Sequence, residues 1–101
     1  MQTQRFLVRI QVNLPPGTDP ATRRSLLDAE RSRGAELVRA GTIHEIWRVP
    51  GTFGNVGIWQ AADATALHEA LSSLPLFPYM AIETLALADH PLAPVLAEVG
   101  R

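Results

Sequence analysis

The chain has 101 residues, 47% of them apolar, which makes one domain with a hydrophobic core and leaves room for stabilisation by oligomerisation. A net charge of −1 with 19% charged residues gives no basic footprint for nucleic acid, and the apolar runs are too short to span a bilayer, so a soluble, cytoplasmic protein is expected. All nine cationic side chains are arginine and there is no cysteine, which excludes Schiff-base lysines, disulfides, thiolate nucleophiles and cysteine–metal sites, while three scattered histidines argue against a metal centre.

Met1-Gln2-Thr3-Gln4 reads as a short polar lead-in without the charged-then-apolar pattern of a signal peptide. From Phe6 to Leu14, apolar and polar residues alternate. Phe6, Val8, Ile10, Val12 and Leu14 share one face, as in a strand with one side in a core. Pro15-Pro16-Gly17-Thr18 ends this strand, and Asp19-Pro20 supplies a capping carboxylate followed by a proline at the first helical position. The predicted helix runs to about Ala40, with Gly41 placed to terminate it.

Helical spacing assigns this segment an inward stripe of Leu26, Leu27, Glu30, Gly34, Leu37 and Val38. Glu30 in the middle of that stripe is the strongest chemical signal in the chain. A carboxylate facing a core is costly unless it is paired, hydrogen-bonded or neutral. Two readings stand: an ion pair with Arg31, Arg33 or another arginine, or a ligand beside the space that Gly34 leaves.

Thr42–Val49 alternates again, with Ile43, Glu45, Trp47 and Val49 on one face and His44, Ile46 and Arg48 on the other. Pro50-Gly51-Thr52 reads as a hairpin turn, and the return strand Phe53–Ala61 sets Asn55, Gly57 and Trp59 on one face. Glu45 and Trp47 are expected to share a face with Asn55 and Trp59. Glycines 54 and 57 would permit close approach of a ligand or another backbone.

Asp63 is placed to cap a second helix, Ala64–Ser73, with a stripe of Leu67, Leu71 and Leu74 and a semi-buried His68 beside it. Leu74-Pro75-Leu76-Phe77-Pro78-Tyr79-Met80 then stops the helix. The prolines bias Leu74 and Phe77 towards extended geometry, and so apolar a connection is expected to turn inward, either as a plug over the core or as the lining of a cavity with Phe77 or Tyr79 pointing in. Met80–Leu87 reads as the last strand. The tail after His90 carries Leu92, Val95, Leu96 and Val99 and calls for cover by a neighbouring subunit.

The order β-α-β-β-α-β predicts a single α+β domain over residues 1–101 with a ferredoxin-like fold and an antiparallel sheet. Leu74–Met80 following Ala66-Leu67-His68, together with Phe6–Ile10, Leu14-Pro15, Asp19-Pro20-Ala21, Glu30, Ile46-Trp47-Arg48, Gly51, Asn55 and His90-Pro91, resembles the muconolactone delta-isomerase family across nearly the whole chain. The resemblance implies a homo-oligomer: a dimeric α+β barrel or a higher assembly, up to a decamer. It also implies a cofactor-independent, metal-free isomerase of aromatic catabolism that moves a proton in an unsaturated lactone.

On that reading Glu30 is the catalytic base, with Glu45 the next candidate. Arg48 and Asn55 would hold a substrate carboxylate or lactone oxygen, and Trp47, His68, Phe77 and Tyr79 would shape the pocket. Two positions depart from the family pattern: Leu27 stands where a lysine is expected, and Glu45 where a histidine is expected. These exchanges admit a cyclase or isomerase acting on a larger substrate, and the fold class alone admits a non-catalytic ligand-binding dimer.

Overall fold

The two main helices begin where their sequence signals stand. In the computed structural model, which describes residues 2–100, the Asp19 carboxylate accepts from the Thr22 amide at 3.1 Å and opens α1 (Pro20–Arg39). Asp63 accepts from the Ala66 amide at 2.8 Å and opens α2 (Ala64–Ser72). Both side chains satisfy amide groups that a helix start leaves without partners.

The strands are β1 (Gln4–Val12), β2 (Ile43–Arg48), β3 (Asn55–Ala61) and β4 (Met80–Leu87), in the antiparallel order β2-β3-β1-β4. This is the predicted α+β, ferredoxin-like arrangement. The β2–β3 hairpin closes through the Thr52 amide, which donates to the Val49 carbonyl at 3.1 Å. Gly51 has φ +79 at the third turn position, behind Pro50, which is the type II pattern only glycine adopts without strain.

One face of the sheet carries the core. Phe6, Val8 and Ile10 of β1, Trp59 of β3 and Ile43 of β2 are buried with Leu37 of α1 and Leu67, Leu71 and Leu74 in and after α2. The alternation predicted for β1 therefore holds. On α1 the buried arc is narrower than predicted, because Leu27 and Val38 lie exposed, one position round the helix from half-buried Leu26 and buried Leu37.

A bulge in β2 corrects the predicted hairpin faces. Ile43 lies opposite Trp59, but Glu45 lies opposite Ile58, so His44 is an extra residue that shifts the alternation by one. Ile46 and Arg48 consequently share the helix-covered face with Gly57 and Asn55, while Glu45 and Trp47 go to the open face beside Ile58 and Val56. Gly57 accommodates the bulge, since a Cβ there would lie 2.5 Å from the Glu45 carbonyl oxygen. The close approach expected at Gly57 is thus that of another backbone.

The tail forms a short helix, α3 (Ala93–Glu98), which the sequence reading left unassigned. Its Leu92, Val95, Leu96 and Val99 are exposed. The chain's radius of gyration is 15.6 Å, against about 13 Å for a compact domain of this length. Among the described residues no helix is long and apolar enough to cross a membrane.

Candidate active site

Glu30 projects from the inward arc of α1, half-buried, and its Oε1 accepts a hydrogen bond from the Leu76 backbone amide at 2.9 Å. The arginine pairing considered from sequence is replaced by this contact. Arg33 instead donates to Ser73 Oγ at 2.9 Å and pairs with Glu36 at 3.3 Å. Burial pushes the Glu30 carboxyl above the ordinary glutamate range, and the Leu76 amide partly opposes that rise by favouring the charged form.

The amide that meets Glu30 is presented by the proline-bracketed connection. Leu74 and Leu76 are buried, and the amides of Phe77 and Tyr79 donate to the carbonyls of Leu74 and Leu76 at 2.9 and 2.8 Å, winding the segment into successive tight turns. Phe77 begins a one-turn 3-10 helix, Phe77–Tyr79, rather than adopting the extended geometry expected before Pro78. Here local turn bonding and burial override the pre-proline preference. Extended backbone resumes at Met80, with φ −100 and ψ 141.

Phe77 and Tyr79 are half-buried, and Phe77 packs on the core. His68 of α2 stands edge-on to Phe77, with ring centroids 6.1 Å apart and planes at 86°, but it is exposed rather than semi-buried. The helix turns its Leu67 and Leu71 inward, leaving His68 on the flank.

Arg48 and Asn55 come together as direct partners across the hairpin. The Arg48 guanidinium donates to the Phe53 carbonyl and, at 3.4 Å, to the Gly54 carbonyl, which holds it over the turn. Glu45 and Trp47 lie across the sheet from this group, on the open face. Two clefts, of about 410 and 540 Å³, lie at the Arg5–Asp89 corner and along the outer surface of α1, and Glu30 lines neither.

Sequence reasoning assigned Trp59 to a face but gave it no role. It is 1% exposed, and its Nε1 is a buried donor without a hydrogen-bond partner among the described residues; Asn55 Oδ1 is a buried acceptor in the same condition. The available signal was chemical, because a tryptophan at a core-facing strand position brings an N–H that needs an acceptor.

A family model described as muconolactone delta-isomerase matches residues 5–93. The chain belongs to the muconolactone delta-isomerase family. Among its relatives, the muconolactone delta-isomerase of Rhodococcus opacus is 42% identical over 85 residues, covering 84% of this chain and 91% of that protein. The corresponding protein of Acinetobacter baylyi is 37% identical over 86 residues, covering 85% and 90%. The crystal structure of a muconolactone isomerase superposes with a TM-score of 0.81 at 39% identity, covering 86% of this chain and 91% of that one. The membership makes this chain an isomerase, and the fold read from its strand and helix order is the fold of its structural relative.

Proposed function

We propose that this member of the muconolactone delta-isomerase family shifts a double bond within an unsaturated five-membered lactone, with Glu30 as the base that carries the proton. The observation that carries the assignment is the Glu30 carboxylate itself: half-buried on the inward arc of α1, raised in pKa by burial, and fixed through Oε1 by the Leu76 amide at 2.9 Å. An isomerisation of this kind removes a proton from the carbon between the ring oxygen and the double bond. The electrons pass into a conjugated dienolate, and the same proton returns at the carbon next to the carbonyl. No atoms are gained or lost, so one carboxylate acting first as base and then as acid suffices. A raised pKa suits both halves, because the group must accept a proton from carbon and then surrender it.

Arg48 and Asn55, paired on the helix-covered face, are the polar groups proposed for a substrate carboxylate or lactone oxygen, with Phe77, Tyr79 and His68 at the rim. Glu45 and Trp47 lie across the sheet, and any part they play requires a second subunit. The open face, with Trp47, Leu85 and Leu87 exposed, and the apolar tail both favour a homodimer or larger assembly, formed in the cytoplasm.

The test is turnover of muconolactone, followed by ultraviolet absorbance and by proton exchange at the allylic carbon. Wild-type protein is expected to isomerise it. Glu30→Gln, which keeps the acceptor for the Leu76 amide but cannot take a proton, is expected to lose a hundredfold or more in kcat while remaining folded. Glu30→Gln with wild-type kcat, or with its fold lost, would assign the carboxylate a structural role.

A further inference from the structure

The described interior leaves two polar atoms without partners, Trp59 Nε1 and Asn55 Oδ1, both on the helix-covered face of β3. Native interiors pair nearly all such groups, so two on one face of one strand call for a cause. Between them on that face lies Gly57, whose Cβ position is taken by the Glu45 carbonyl of the bulge. The open space lies on α1 instead: Gly34 stands on the arc between Glu30 and Leu37, half-buried, and a Cβ there would meet no atom of another element within 4 Å.

The spacings of the two elements agree. Leu37 belongs to the same buried cluster as Trp59, Phe6 and Ile43, so this part of α1 covers the sheet face that carries Trp59. Seven residues back along α1, about 10 Å at 1.5 Å per residue, is Glu30. Four residues back along β3, about 13 Å at 3.3 Å per residue, is Asn55. Glu30 and Asn55 therefore stand at similar distances along their own elements from that cluster.

We infer that the Trp59 indole N–H is a substrate-contacting donor, giving its hydrogen bond to a lactone or carboxylate oxygen that lies beside Gly34 of α1, with Asn55 at the opposite end of the ligand. The inference rests on the lactone-isomerase reading for the class of ligand. A ligand oxygen so placed satisfies the buried N–H, and negative charge develops on that oxygen as the dienolate forms, so the bond strengthens in the transition state. The Asn55 amide can present either its oxygen or its NH2 to the other end of the ligand.

The chain has two tryptophans, which makes the test specific. In 15N-labelled wild-type protein the two indole N–H resonances are assigned with Trp59→Phe, and a saturated γ-lactone carrying a carboxylate, which cannot isomerise, is titrated to millimolar concentration. The Trp59 resonance is expected to move downfield with saturation while that of Trp47, on the opposite face, stays in place. Trp59→Phe removes the donor together with part of the aromatic bulk, and is expected to lower kcat/KM on muconolactone by about tenfold to a hundredfold in a protein that stays folded at a lower thermal midpoint.

A Trp59 resonance that does not move, or one that shows exchange contacts to a persistent bound water in the presence of the lactone, overturns the inference. So does a folded Trp59→Phe protein with wild-type kcat/KM. A wild-type protein that does not turn over muconolactone overturns the functional reading instead, and the Trp59 shift still decides the inference.

Discussion

The two faces of the sheet are built from the same alternating strands, yet one is finished within the chain and the other is not. On the helix-covered face Trp59, Val8, Phe6 and Ile10 are buried beneath α1, α2 and the Leu74–Met80 connection. On the open face Trp47 is 51% exposed and Leu85 62%, interspersed with Arg9, Glu45 and Glu83. The difference shows that alternation tells which residues go together and is silent about what covers them. It also separates the proposed chemistry from the proposed assembly, for Glu30, Arg48, Asn55 and Trp59 belong to the covered side and Glu45 and Trp47 to the other.

The sharpest way to break that separation is to compare the two carboxylates. Glu30→Gln is expected to lose a hundredfold or more in turnover, whereas Glu45→Gln should stay within about threefold in the same muconolactone assay. Equal losses would mean that the two faces meet at a shared site between subunits.

Next in size is a contrast in packing. Leu71→Ala, at a buried position under α2, should cost about 2–5 kcal/mol in urea unfolding through lost burial and a cavity. Leu85→Asp should instead leave the subunit folded and change its association. Light scattering is expected to give a multiple of 11.0 kDa for wild-type protein and a mass near 11.0 kDa for Leu85→Asp.

The pH dependence sharpens the assignment of Glu30 to the covered side. Its folded pKa is raised by burial, so between the unfolded and folded values the native state binds more protons than the unfolded one. Stability from this group is present at lower pH and declines as pH rises through that window. Activity runs the opposite way, rising as the carboxylate ionises, with its acidic limb above the ordinary glutamate range. Glu30→Gln should remove the Glu30 part of the stability decline, which unfolding midpoints of both proteins across pH 4–8 would read.

The smallest effect is expected at the edge of the cover. Asp63→Ala deletes the bond to the Ala66 amide that opens α2, and should cost about 1 kcal/mol without moving the sheet beneath. Circular dichroism during thermal unfolding checks it.

Much of this molecule is legible in its chain. Asp19 and Asp63 marked both main helix starts, since a short acidic side chain before a helical pattern has few better uses than capping. The β1 alternation and the Pro50-Gly51 turn were equally local. Glu30 stood out for a local reason too, because a carboxylate on an apolar helical arc must find a partner.

What that partner is was decided only by tertiary structure. The Leu76 amide lies 46 positions away and becomes a donor to Glu30 only after the connection has wound into its turns. The bulge at His44 likewise leaves no mark in the local pattern, yet one extra residue moves Arg48 to the covered face and Glu45 and Trp47 to the open one, because side chains in a strand alternate with a period of two. Caps, turns and alternation arise from neighbours along the chain. Partners, faces and cover arise from residues that folding alone brings together, and the isomerase's proposed site is made almost wholly of these.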